Sequence, residues 1–195
     1  MNPVSAKIKA FRMEYELIRS NRKTLAAQIK EGRLIVRAPH WVREKDILQF
    51  IADHRSRLES LLEESRAQAQ ALASIPRLSQ EELLDIIKQA KAFIPSRVAY
   101  YAPQVGVHYK RISIRTQRGR WGSCSSQGNL NFNCLLMLAP REVLDSVVVH
   151  ELCHLREANH SARFYEEVLR VYPEYRRWDR WLKENGKKLL ARRPV

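Results

Sequence analysis

Hydrophobic and polar residues alternate along the first 38 residues in the manner of short β-strands. The alternating runs are YELIRS, KTLAAQIK and RLIVRAP, and Leu25, Ala27 and Ile29 fall on one face of the second run. KEGR separates the last two runs and supplies Gly32, a residue that accepts positive φ without steric cost. The pattern therefore predicts an N-terminal β-hairpin.

After Val42 the hydrophobic period changes to that of an α-helix. Apolar residues recur at three- and four-residue intervals between charged ones, namely Ile47, Phe50, Ile51, Leu58, Leu61 and Leu62. This long helix is predicted to reach about residue 70, where ASIPRLSQ breaks it. The break predicts an N-terminal β/α lobe over residues 1–74 and a catalytic lobe over 75–195, although 195 residues also suit one compact domain.

A capping box from Ser79 to Glu82 predicts the start of a further helix, which Pro95 is expected to bend or end. VHYKRISIRT and NLNFNCLLML are predicted strands that pair with each other. The stretch between them, QRGRWGSCSSQG, is predicted to be a loop. Residues 129–135 are expected to form an edge strand with a free side for an extended substrate.

Three helices are predicted after these strands. The first begins at Pro140, the second runs from Ser161 towards Val171, and the last ends at Gly186. The fold class predicted from these elements is α+β, in which a hairpin and a long helix precede a lobe with a small sheet.

Cysteine usage and hydrophobic run length restrict where the protein works. The chain has three cysteines, and an odd number argues against a disulfide framework. This cysteine usage favours a reducing compartment. No apolar run approaches the length of a membrane span, and the N-terminus lacks the features of a signal peptide. The sequence therefore predicts a cytoplasmic protein without a membrane partner.

The net charge of +14 suggests polyanionic partners. Thirty-five lysines and arginines against 21 acidic residues would attract nucleic acid without sequence preference, or another polyanion. The alternative is a solvated basic surface, because the charges are spread along the chain.

The run VVVHELCHLREANH contains the candidate chemistry. His150 and His154 are four residues apart, so on a helix both imidazoles face the same side and can bind one ion. Glu151 lies between them at the edge of that side. This H-E-x-x-H spacing is typical of zinc hydrolases in which the glutamate is the general base.

His160 is the predicted third ligand. It follows His154 by six residues, the offset found in H-E-x-x-H-x-x-G-x-x-H. Glu157 stands where that longer pattern has glycine, so the chain departs from the metzincins, and Asn159 is the candidate for the reversing turn. Chance occurrence and ordinary buried histidines are the alternatives, but motif and offset together favour zinc.

A zinc-dependent peptidase is the function that this constellation predicts. Two alternatives remain: hydrolysis of a nucleotide phosphoanhydride by the same metal and glutamate, and a nucleic-acid-binding module with a structural zinc. Three histidines without a fourth protein ligand favour a catalytic site over a structural one.

RWGSCSSQGNLNFN, the histidine run with its continuation SARFYEEV, and a Trp-rich terminal helix together resemble the YgjP-like family of metallopeptidases. SNRKTLAAQIKEGRLIVRAP is similar to the N-terminus of the same family, so the resemblance covers nearly the whole chain. It implies a zincin-like catalytic lobe related to SprT-like and WLM proteases, and a peptide or protein substrate.

Candidate substrate-binding residues lie in and after the predicted loop. They are Arg120, Trp121, Asn129, Asn131 and Asn133, expected at the rim of the cleft. The alternative for Trp121 is a tight turn in which the indole covers the core.

Overall fold

The computed structural model describes residues 5–10 and 13–194, which fall into two units, Met1–Ser74 and Ile75–Val195. Each unit contains its own cluster of buried hydrophobic residues. That the two units are separate domains stays a prediction.

The N-terminal unit contains a four-stranded sheet in the order β1-β2-β4-β3. Its strands are β1 (Ser5–Ala10), β2 (Met13–Ser20), β3 (Ala26–Lys30) and β4 (Arg33–Pro39). The hairpin formed by β3 and β4 is antiparallel, with Ala27 opposite Val36. Glu31 and Gly32 both adopt positive φ, 52° and 73°, as a two-residue hairpin turn requires.

Two helices follow this sheet where one was predicted. Helix α1 (Glu44–Asp53) and helix α2 (Arg55–Ala73) are separated at His54, whose φ of −107° and ψ of 10° leave the helical region. The imidazole of His54 binds the Phe50 carbonyl oxygen at 2.8 Å, so a local side-chain contact accompanies the interruption. Ile47 and Ile51 are buried and pack against the strands.

The C-terminal unit surrounds a three-stranded sheet with helices. Its elements are α3 (Gln80–Val105), β5 (Arg111–Arg115), β6 (Gly122–Cys124), β7 (Asn129–Asn133), a 3₁₀ helix (Cys134–Leu138), α4 (Arg141–Cys153), α5 (Ala162–Val171) and α6 (Tyr175–Ala191). The prediction of an α+β fold is confirmed. No helix in the described part of the chain is long and apolar enough to cross a membrane.

Helix ends agree with the sequence signals at some positions and not at others. The capping box at Ser79 and Glu82 is present, with both hydrogen bonds formed. Helix α3 nevertheless continues through Pro95, because Ala90, Ile94 and Val98 on both sides of it are buried in the core. Helix α6 likewise continues beyond Gly186, a glycine that is itself buried.

The small sheet has the order β5-β7-β6, so β7 is its central strand. It pairs in parallel with β5 and antiparallel with β6. The expectation that residues 129–135 form an edge strand is therefore wrong. Gly122–Cys124, within the predicted loop, is the edge strand instead, because three small residues carry no alternating pattern that sequence analysis can detect.

Candidate metal centre and active site

The first two histidines lie at the C-terminal end of helix α4. Val147, Val148 and Val149 are buried and fix the helix against the core. His150 and His154 follow on one side, and His154 is the C-cap residue, immediately after the last helical turn. The apolar start of the motif therefore holds the two imidazoles in place.

The three predicted ligands come together. The Nε2 atom of His150 lies 3.1 Å from Nε2 of His154 and 3.1 Å from Nε2 of His160. The chain reverses between α4 and α5 without a left-handed residue, so the expectation for Asn159 is wrong. Ser161 then caps α5 by accepting a hydrogen bond from the Phe164 amide.

Two of the imidazoles have fixed orientations because the Nδ1 atom of each ring contacts another group of the protein. Nδ1 of His150 contacts the Tyr175 hydroxyl at 2.8 Å, and Nδ1 of His154 contacts the Glu157 carbonyl oxygen at 3.1 Å. Such contacts orient metal-binding imidazoles and select their tautomer. The contact between Tyr175 and His150 was not predicted from sequence, since the two residues are 25 positions apart and no spacing rule links them.

Phe164 forms an apolar base beneath all three imidazoles. It is fully buried, and its ring centroid lies 4.9 Å from that of His150, 4.5 Å from that of His154 and 4.9 Å from that of His160. This residue was also missed by sequence analysis. Its position four residues after the third histidine, at the start of α5, is the signal that could have suggested it.

The histidine cluster fits a zinc ion by geometry and by donor chemistry. Zinc bound tetrahedrally to imidazole at about 2.0–2.1 Å has ligand nitrogens roughly 3.3–3.4 Å apart. The observed separations of 3.1 Å are close to that, and all three ligand atoms lie within 4.8 Å of one another. Burial, followed by the neighbouring His154 and His160, lowers the pKa of His150 to about 3, so its lone pair stays available.

Glu151 points into the same region but is not one of the grouped ligands. It is 6% exposed, and burial raises the pKa of its carboxyl to about 8. Gly122 on β6 makes room for it: a Cβ added at Gly122 would lie 2.5 Å from Glu151 Oε1 and 2.6 Å from its Cγ. Any larger residue at position 122 would displace the carboxylate.

Two cavities open on either side of this glycine. The Trp121 cavity, about 240 Å³, is bordered by Trp121, Ser146, Val147, Tyr175, Asp179 and Leu182. The serine cavity, about 390 Å³, is bordered by Ser123, Cys124, Ser125, Ser126, Ala158 and the remaining two histidines. Both cavities are lined by Arg120, Gly122, His150 and Glu151, so they adjoin at these four residues.

The candidate substrate-binding residues separate into two groups. Arg120 and Trp121 line the cavities. The three asparagines hold the surrounding loop instead: Asn129 donates to Ser125 Oγ, Asn131 to Ser123 Oγ, and Asn133 to the carbonyl oxygens of Gln117 and Arg120. Substrate contact by the asparagines stays a prediction.

The sequence model of the YgjP-like metallopeptidase domain matches residues 79–185, which is more than half of the chain. No curated protein matches at a significant level.

Two solved structures are similar to about half of this chain. The metallopeptidase zymogen abylysin of Pyrococcus abyssi is 21% identical, covers 53% of this chain and 100% of its own, and has a TM-score of 0.44. The metallopeptidase zymogen jannalysin of Methanocaldococcus jannaschii is 19% identical, covers 48% of this chain and 96% of its own, and has a TM-score of 0.43.

Proposed function

Since this chain belongs to the YgjP-like family of metallopeptidases, we propose that it is a zinc-dependent peptidase with Glu151 as general base. The observation that carries the proposal is the convergence of three imidazole nitrogens beside a buried carboxylate. His150, His154 and His160 would hold the metal. Bound zinc supplies Lewis-acid polarisation of a carbonyl and a water that ionises near neutral pH.

Glu151 would accept the proton of the attacking water and pass it to the leaving amine. Its burial supports this role, because a carboxylate with a raised pKa is a stronger base than an exposed one. Gly122 lets β6 approach this carboxylate closely. The side of β6 that does not pair with β7 offers backbone groups to an extended peptide, which would lie across both cavities.

Among the described residues that line the two cavities, Arg120 is the only lysine or arginine. We assign it to the substrate, where its guanidinium would bind a carbonyl or carboxylate near the cleaved bond. Arg120 shares its cavity with the carboxyl groups of Glu151 and Asp179. A single cation in such a lining is a poor match for a polyphosphate, so no observation favours the phosphoanhydride alternative. A structural zinc is equally disfavoured, because no fourth ligand joins the histidines among the described residues.

The test combines metal content with turnover. The purified protein should hold one zinc per chain by elemental analysis, and a His150→Ala/His154→Ala double variant should hold none. Zinc-loaded protein should cleave peptides from a mixed library analysed by mass spectrometry. Glu151→Gln should keep its zinc and lose turnover by about 10²–10⁴-fold, the range expected for a general base. Full activity of Glu151→Gln would refute the mechanism.

A further inference from the structure

We propose that the Trp121 cavity binds an apolar substrate side chain next to the cleaved bond, which gives the enzyme its sequence preference. This inference rests on the proposed peptidase function. The side chains that carry it are Trp121, Val147 and Leu182.

The position of the cavity ties it to the chemistry. Gly122, His150 and Glu151 belong to its wall and also to the wall of the serine cavity. A peptide whose carbonyl faces Glu151 must therefore direct a neighbouring side chain into one cavity or the other.

Three of the polar groups around the Trp121 cavity are already paired within the protein. The Tyr175 hydroxyl contacts His150 Nδ1 at 2.8 Å, Ser146 Oγ donates to the Val143 carbonyl at 2.7 Å, and Asp179 accepts from Lys183 Nζ at 2.6 Å. A charged substrate side chain would lose water there, and Arg120, which also lines the cavity, is already assigned to the substrate near the cleaved bond. An apolar side chain would lose only unfavourable contact with water.

The indole wall of the cavity is formed in advance by a close contact with α6. A Cβ added at Gly186 would lie 3.1 Å from Trp121 Nε1 and 3.2 Å from its Cζ2, so the ring rests almost directly on the helix backbone. The Trp121 carbonyl also accepts a hydrogen bond from the Asn133 amide at 2.8 Å. Preformed apolar walls of this kind favour binding, because little ordering is needed on contact.

The serine cavity differs in the chemistry of its walls. Three serines and three imidazoles line it, and its volume is larger, about 390 Å³ against about 240 Å³. The substrate preference should therefore be strict on the Trp121 side and weak on the serine side.

Binding to the full-length Glu151→Gln protein, loaded with zinc, tests the inference without turnover. The probes are dye-labelled acetyl-Ala-Ala-Xaa-Ala-Ala peptides in which Xaa is Leu, Ala, Asp or Lys, and affinity is measured by fluorescence polarisation. The Leu peptide should bind at least roughly tenfold more tightly than the Asp peptide, the discrimination typical of an apolar pocket.

Leu182→Ala in the same background should remove most of the Leu preference. Leu190→Ala is the matched control, since Leu190 is also half-buried on α6 and does not line the cavity. Trp121→Leu changes another apolar residue of the cavity lining and provides a second variant if Leu182→Ala does not fold.

Equal affinity for the Leu and Asp peptides, absence of any binding, or an equal effect of Leu182→Ala and Leu190→Ala would each overturn the inference. Cleavage by zinc-loaded wild-type protein decides the proposed function separately. Cleavage without a Leu preference refutes only the cavity assignment, and a Leu preference without cleavage refutes only the peptidase assignment.

Discussion

Helix α4 contributes to two polar clusters, one around the buried Asp145 and one around the partly exposed His150, whose polar groups are compensated in different ways. In the first, the Asp145 carboxylate accepts from Arg97 Nε at 2.7 Å and Nη2 at 2.9 Å, and from the Tyr101 hydroxyl at 3.3 Å. In the second, His150 faces two other imidazoles at 3.1 Å. The charge of Asp145 in the first cluster is compensated by groups of the protein itself. The second cluster brings three imidazole nitrogens together around a common point.

This difference separates a structural polar cluster from a functional one. Burial of a charge is tolerated when an opposite charge and hydrogen bonds compensate for lost water, as Arg97 does for Asp145. Three convergent lone pairs have no such compensation until a cation arrives. Both clusters perturb pKa values, the first by raising the pKa of Arg97 through its bond to Asp145, so a shifted pKa alone does not identify an active site.

Breaking the ion pair between Arg97 and Asp145 should have the largest effect on stability. Asp145→Ala should lower the free energy of unfolding by about 3–5 kcal/mol, because the buried guanidinium of Arg97 loses its partner. Urea unfolding in the presence of a chelator measures this without a contribution from metal binding. Arg177→Ala, which breaks an exposed ion pair with Glu174, should cost less than about 1 kcal/mol.

A double variant sharpens that result. Arg97→Met combined with Asp145→Leu removes both charges and should recover most of the stability lost by Asp145→Ala. If the single and double variants are equally unstable, packing at these positions matters more than the ion pair.

Gly122→Ala should impair turnover more than stability. The added Cβ would collide with the carboxylate end of Glu151, and that flexible side chain can move while the helix stays in place. Displacement of a reacting group by about 1 Å costs on the order of a hundredfold in rate. The matched control is Gly119→Ala, since a Cβ there meets nothing within 4 Å.

The measurement is peptide turnover at equal zinc occupancy, with the unfolding free energy recorded for both variants. Wild-type activity in Gly122→Ala would show that Glu151 does not need its observed position.

Tyr175→Phe should weaken zinc binding by about 10–100-fold, the usual effect of removing a partner of a metal-binding imidazole. The hydroxyl is lost from His150 Nδ1 while the aromatic ring remains in the core. Competition with a chromophoric chelator measures the affinity. Tyr165→Phe is the control, because Tyr165 contacts the cluster through its ring against His160. Equal affinities for both variants would mean that the Tyr175 hydroxyl does not orient His150.

Much of the histidine cluster was predictable because its geometry is local. Because His150 and His154 are four residues apart, they lie on the same face of a helix. Ser79 and Ser161 cap their helices through hydrogen bonds to residues three positions further along the chain. Sequence spacing alone determines such contacts.

Contacts between distant segments were not predictable in the same way. Gly122 approaches Glu151, and Tyr175 approaches His150, only because β6 and α6 pack against α4. The central position of β7 was missed for the same reason, since strand order depends on pairing with the unrecognised strand β6. Tertiary packing also overrides the local helix-breaking tendency of Pro95.

The smallest expected effect concerns Asn131, whose Nδ2 donates to Ser123 Oγ at 3.2 Å across the pair of strands β6 and β7. Removing this half-exposed hydrogen bond by Asn131→Ala should cost about 1 kcal/mol of unfolding free energy. Ser123→Ala should cost a similar amount, and the double variant should lose little more than either single one, because both remove the same bond. Urea unfolding of the three variants measures this coupling. Additive losses would show that the two side chains act separately, in which case Asn131 is free to contact a peptide, as its sequence position first suggested. Non-additive losses, together with an unchanged KM for peptide cleavage, would assign Asn131 to the support of the edge strand instead.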